Sequence, residues 1–183
     1  MRVMIDACVL YPTVMREVVL GAAEAGLFVP RWTPRILEEW ARATVKLGPE
    51  AEVFARGELA ALAVRFPQAC IDERQGVAAR LWLPDPNDIH VLAAAISGSC
   101  DAILTMNAGD FPRGTLAEEG LDRLDPDGFL AGLVGTAPDA MTKVALAVLA
   151  EAQRLSGQDW TMRGLMKKAR LPRFGKAVEA ALV

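Results

Sequence analysis

Four oxygen-bearing side chains of this chain sit at the ends of apolar segments, not along polar faces. Asp6 closes the apolar run "RVMI". Asp88 opens the alanine-rich stretch "IHVLAAAI", while Asn107 and Asp110 follow "AILTM". Glu38 and Glu39 fall early in a helical pattern that begins at "TPRILEEW". In parallel α/β folds, ligands bind outside the carboxyl ends of the strands. If the apolar runs are neighbouring strands, these acids converge at one edge. Carboxylates crowded together repel, and the cost falls when a cation stands among them. In sequence, no lysine or arginine lies beside Asp6, Asp88 or Asn107, and Arg113 is the nearest basic residue to Asp110. A hard divalent cation, magnesium or manganese, suits carboxylate and amide oxygens. It would activate a water and stabilise a leaving oxygen, so the expected chemistry is metal-assisted hydrolysis.

Each residue also has a plainer reading. Asp88 could be only a helix cap, and Asp6 only a turn residue. Glu38 and Glu39 would sit well near a helix N-terminus for electrostatic reasons alone. Asn107 and Asp110 suit Asx turns. Asp101 reads as a turn before a strand, and Asp85, between two prolines, as either a loop residue or an outer acid. His90 reads as a packed helix residue because its neighbours are apolar. Trp32 and Trp40 read as core; Trp82 and Trp160 stay open.

The elements that must position these residues follow from apolar patterning. The chain has 183 residues, 52% hydrophobic and 23% charged, with a formal net charge of −3. That is globular composition without the basic excess of a general nucleic-acid binder. Cys8, Cys70 and Cys100 and one histidine give no zinc pattern and no disulfide framework, which fits a reducing compartment. No secretory signal and no long apolar run is present, so a cytoplasmic location is expected.

Strands are expected at 2–5, 27–30, 102–106 and 121–124, with 68–71 ambiguous between strand and loop. Helices are expected from Pro12 to about Gly26, after the Thr33–Pro34 cap, from Pro49, over 73–80, over 88–97 with Asn87 or Asp88 as cap, and after Pro126. In the helix from Pro49, Val53, Leu59, Leu62 and Val64 share a register. Helices over 138–154, 161–169 and 173–182 make a C-terminal tail anchored by Leu165, Leu171 and Phe174. Short apolar strands alternating with helices imply an α/β sandwich around a mostly parallel sheet.

Taken together, "VMIDACVLYP", "TPRILEEWARA", "NDIHVLAAAI" and "DAILTMNAGDFP" resemble, in order and spacing, the PIN domain family of metal-dependent nucleases. The resemblance covers roughly residues 2 to 133 and extends to the VapC-like toxins of bacterial toxin–antitoxin systems. It implies a three-layer α/β/α sandwich over residues 1–135 with a helical extension over 136–183. It assigns the family's acids to Asp6, Glu39 (ahead of Glu38), Asp88 and Asp110. Asn107 stands where aspartate is frequent, a departure shared by a subgroup that also carries a following Asp-Phe.

The resemblance further implies an endoribonuclease acting on RNA, a small cognate antitoxin protein as partner, and a homodimer. Asp6, Glu39, Asp88 and Asp110 would hold magnesium or manganese, with Asn107 adding an oxygen. Thr105 is read as holding Asp6 or the substrate. Arg16, Arg31 and Arg113 are read as phosphate contacts, because guanidinium matches phosphate geometry. Two other classes compete. One is a non-catalytic module of the same fold that binds RNA or protein, kept open by Asn107. The other is a different magnesium-dependent phosphohydrolase. Cys8 stands where a phosphoaspartate enzyme wants a second aspartate, and no glycine-rich loop follows the first strand to suit a dinucleotide.

Overall fold

The computed structural model describes residues 1–182. In chain order the elements are β1 (Arg2–Ile5), α1 (Ala7–Leu10), α2 (Thr13–Glu24), β2 (Val29–Arg31), α3 (Pro34–Thr44) and α4 (Pro49–Arg65). Then come α5 (Ile89–Ser97), β3 (Ala102–Leu104), α6 (Arg113–Glu118), β4 (Asp122–Leu124) and α7 (Pro126–Thr136). The chain finishes with α8 (Pro138–Ser156), α9 (Met162–Lys168) and α10 (Pro172–Ala181). All pairings in the four-stranded sheet are parallel, in the order β2-β1-β3-β4. This is the α/β fold expected from the sequence, PIN-like in its arrangement. Among the described residues, no helix is long and apolar enough to cross a membrane.

The strand order places a topological switch between β1 and β3. The chain leaves β1 toward β2 on one side, then returns to build β3 and β4 on the other. In open parallel sheets, ligands bind at the carboxyl ends where the direction changes. Apolar side chains fix these central strands. Val3, Met4 and Ile5 of β1 and Ala102, Ile103 and Leu104 of β3 are fully buried. Strands covered on both faces read as continuous apolar runs, as these do. Helix α5 packs against β1 and β3. Its Val91, Leu92 and three alanines are fully buried, and small alanine side chains let the helix lie close to the sheet.

The chain divides into two compact units. One comprises Met1–Tyr11 and Val29–Leu124; the other comprises Pro12–Phe28 and the chain from Asp125 onward. The sheet and α1, α3, α4, α5 and α6 belong to the first. The second is helical. Its α2 approaches α8 so closely that a Cβ on Gly21 would lie 2.7 Å from Val144 Cγ1, so any larger residue there would displace Val144. Phe28 meets Phe129 edge to face at 5.2 Å. The Asp127 carboxylate accepts from the backbone N–H groups of Arg173 and Phe174, capping α10 from another helix. Leu165, Leu171 and Phe174 are buried as anchors of this unit.

Several elements differ from the sequence expectation. The second strand is Val29–Arg31, not 27–30; Phe28 turns to Phe129 instead, and Pro30 sits inside the strand. Proline is tolerated because β2 is an edge strand. The helix expected over 73–80 is reduced to one 3-10 turn, Ala78–Arg80, because Gly76 adopts φ +83° just before it. Residues 68–71 contribute a single parallel bridge, Trp32 to Cys70. Helix α4 forms, but Ala55 and Leu62 are its buried residues. Val53 and Val64 are 73% and 82% exposed, because eleven residues of helical rotation put them together on another side. The short helices α1 and α6 were not anticipated. For α6 the sequence signals were Pro112 before it and Gly120 after it, the latter at φ +71°.

Thr33 caps α3: its Oγ1 accepts from Ile36 N at 3.2 Å, and Pro34 takes the first helical position. Thr33→Ala should therefore lower stability by about 1 kcal/mol. Urea denaturation reads this directly, and an unchanged midpoint would deny the cap a role in seating α3.

Candidate active site

The site begins with backbone pairing at the end of the sheet. β1 stops at Ile5, but Asp6 N still donates to Leu104 O at 3.1 Å. One strand further over, Thr105 N donates to Leu124 O at 3.0 Å. Asp6 and Thr105 thus leave adjacent strands side by side, and both are buried, 5% and 2% exposed.

Their side chains form a directed chain of hydrogen bonds. Asn107 N donates to Thr105 Oγ1 at 3.0 Å. With that lone pair occupied, the hydroxyl proton points to Asp6 Oδ2 at 2.7 Å. Cys8 Sγ donates to the same oxygen at 3.0 Å and accepts from Met106 N at 3.3 Å. Burial, reinforced by the Asp6 charge, pushes the Cys8 thiol up to about 12, so it stays protonated. Cys8 is therefore a donor that fixes a carboxylate, not a nucleophile. The same bond between Asn107 N and Thr105 Oγ1 turns the chain, which is why β3 ends at Leu104 and not at 106.

Asp88 stands at the start of α5, half-buried, and its side chain makes no capping bond. The cap there is Asp85, whose Oδ1 accepts from Asn87 N at 2.9 Å and Asn87 Nδ2 at 3.0 Å. Burial raises the Asp88 carboxyl to about 6. Repulsion from Asp6, Asp110, Asp85 and Glu39 adds to the shift. Every acid singled out by the sequence resemblance is thus within electrostatic reach of Asp88.

Glu39 comes from α3. Arg35 Nε donates to its Oε1 at 3.1 Å, and Arg35 Nη2 reaches Asn87 O at 3.4 Å. His90 Nε2 approaches the same Glu39 oxygen to 3.0 Å, without the alignment of a hydrogen bond. His90 is buried, and burial lowers its pKa against the opposing pull of Glu39, which keeps the ring neutral. Asp110 lies on the loop after β3. Its N–H donates to Asn107 O at 3.2 Å. Arg123 of β4 clamps the loop through Ala108 O and, at 2.9 Å, Phe111 O, while fully buried Phe111 anchors it.

Glu38 is occupied by Arg42 at 2.9 Å and Arg56 at 3.1 Å, which hold its carboxyl below the usual range. Arg16 is buried on α2 beside Glu17. Arg31 spends its guanidinium on Gln68 O and Pro30 O. Arg113 is exposed at the first position of α6, and Asn107 is exposed in the loop. Trp32 and Trp40 are core, 1% exposed each; Trp82 is 67% exposed. Trp160 lies under Lys168 Nζ at 4.7 Å and donates to Ser156 Oγ.

Sequence reasoning missed Arg35, Asp85 as cap, Cys8 as donor and Arg123 as loop clamp. The four-residue spacing from Arg35 to Glu39 was a visible helical pairing signal. Nothing local announces Arg123, whose partners lie more than ten residues away.

Among the described residues, no three Asp, Glu, His or Cys side chains as placed enclose a metal ion. The donor chemistry nevertheless fits a hard cation: the groups around Asp88 are carboxylates, and their mutual repulsion is what a cation relieves.

The structure thus has an acidic cluster at the switch point of a parallel sheet, with one carboxylate locked by two donors. Residues 2–109, more than half of the chain, match the PIN domain family, and the protein belongs to it. PIN domains are typically nucleases that bind RNA and generally use divalent metal ions. No curated protein and no solved structure matches the chain.

The Asp88 shift has a consequence for stability. A folded-state pKa of about 6, above the ordinary 3.8, means that the folded protein binds this proton more tightly than the unfolded chain. That advantage is complete below about pH 4 and is lost as pH rises to about 6. Asp88→Asn should therefore raise the melting temperature of the protein in chelator at about pH 7.5, and the gain should vanish near pH 4. A gain equal at both pH values would disconnect it from the acid cluster.

Proposed function

We propose that this protein is a metal-dependent endoribonuclease that hydrolyses RNA phosphodiester bonds, and that it acts as the toxin of a toxin–antitoxin pair. The observation that carries the reading is the convergence of Asp6, Glu39 and Asp110 on Asp88, which membership of a nuclease family makes intelligible. Asp6, Glu39, Asp88 and Asp110 are the residues that would hold magnesium or manganese, with Asn107 adding an amide oxygen. When bound, such an ion supplies Lewis-acid polarisation and lowers the pKa of water.

The chain's own residues do the positioning. Thr105 and Cys8 immobilise Asp6 Oδ2, so the carboxylate needs no reorganisation when substrate arrives. Arg35 restrains Glu39 and ties it to the backbone before Asp88. Arg113, exposed and next to the Asp110 loop, would contact a substrate phosphate. A protein partner, antitoxin or second copy, is supported by exposed apolar side chains around α4: Leu47 at 69%, Val53, Phe54 at 63% and Val64.

Wild type should cut a labelled mixture of structured and single-stranded RNAs with magnesium or manganese and stop in chelator. Asp6→Asn should lose about a hundredfold or more of that activity while remaining folded. Equal cleavage by both proteins would sink the site. A folded, partner-free wild type that binds but never cuts would favour a non-catalytic RNA- or protein-binding module. Turnover of phosphomonoesters without RNA cleavage would favour another magnesium-dependent phosphohydrolase. Expression should arrest growth, relieved by a small copurifying partner; no effect on growth and no partner would remove the toxin role.

A further inference from the structure

Beside the acids lies a pocket of about 360 Å³ that the catalytic proposal leaves unused. It is lined by Ala7, Cys8, Tyr11, Ala43, Lys46 and Met106. Its walls are mainly apolar. Tyr11, 37% exposed, and exposed Lys46 supply an aromatic ring and an ammonium group. The pocket shares a wall with the acid site. Cys8 is the donor 3.0 Å from Asp6 Oδ2, and Met106 lies between Thr105 and Asn107. Anything seated there touches the side chain that fixes Asp6.

We infer that this pocket seats the base of the RNA nucleotide beside the scissile phosphate, with Tyr11 as its stacking face and Lys46 pairing with a flanking phosphate. The inference rests on the ribonuclease reading above. A slot of alanine, methionine and cysteine with one aromatic wall suits a flat, weakly polar ring. Charge points the same way. The chain is net acidic, and its acid cluster repels a phosphate backbone, so a cation at the rim compensates where the strand must enter. The lining offers few hydrogen-bonding groups. Selection therefore comes from stacking strength and pocket shape, which yields a graded preference among bases and no strict code.

The test titrates nucleoside 5′-monophosphates and the matching nucleosides into wild type, Tyr11→Ala and Lys46→Glu in chelator, following the Met106 methyl signal by NMR. Both substituted side chains are exposed, so the variants should fold. Wild type should show a saturable Met106 shift. Tyr11→Ala should weaken binding about tenfold. Lys46→Glu should abolish the advantage of nucleotide over nucleoside. With magnesium, both variants should raise KM for RNA and leave kcat nearly unchanged, unlike Asp6→Asn. RNA cleavage by wild type without a Met106 shift or any dependence on Tyr11 would overturn the pocket and leave the ribonuclease reading standing. Tyr11-dependent nucleotide binding without cleavage would keep the base site and overturn catalysis. Neither binding nor cleavage would overturn both.

Discussion

Repulsion among carboxylates is the constraint on which this site turns. Asp6, Asp110, Asp85 and Glu39 add to burial in raising the cost of ionising Asp88. Such a group disperses unless something holds it. What holds it is the central pair of strands, β1 and β3, buried on both faces and joined in parallel register. The backbone bond from Asp6 N to Leu104 O carries that rigidity one residue past the strand, to the acid itself. Burial of apolar residues thus supplies the free energy that keeps like charges together.

The donors around Asp6 show how a carboxylate is fixed without being neutralised. Thr105 and Cys8 both give protons to Oδ2, and backbone N–H groups of Asn107 and Met106 set the direction of each. A lysine or arginine in their place would also hold the carboxylate, but it would cancel its charge. A threonine and a protonated thiol hold it and leave the charge in place. Glu39 is treated differently. Arg35 pairs with it at a surface position where solvent weakens the pair, so its carboxylate stays available. His90, buried and neutral beside it, adds bulk and no positive charge.

The two flanks of the acids differ in chemistry. On the Glu39 and Asp88 flank, charged groups and capping bonds dominate. On the Cys8 and Met106 flank the surface turns apolar and ends in Tyr11 and Lys46. Cys8 belongs to both, with its sulfur against Asp6 and its side chain in the pocket wall. The side chain that lines the pocket is thus also one that holds the first acid.

Much of this was readable in one dimension. Apolar runs of three or four residues marked β1 and β3, and the alanine-rich stretch marked α5, because a strand or helix covered on all sides must be apolar throughout. The Thr33–Pro34 cap was legible because capping is local chemistry. So was the placement of Asp6, Asp88 and Asp110 at element ends. Tertiary structure alone decided the rest. Thr105 was read as holding Asp6 or the substrate; that it meets Asp6 follows from β1 and β3 being neighbours, with the two residues 99 apart in sequence. Arg123 clamps the Asp110 loop only because β4 lies beside β3. Glu38 and Glu39, adjacent in sequence, part company because a 100° helical turn sends one to Arg42 and Arg56 and the other to Arg35 and His90. Side-chain type and local spacing are properties of the chain, whereas partnership across elements exists only once burial has chosen which of them become neighbours.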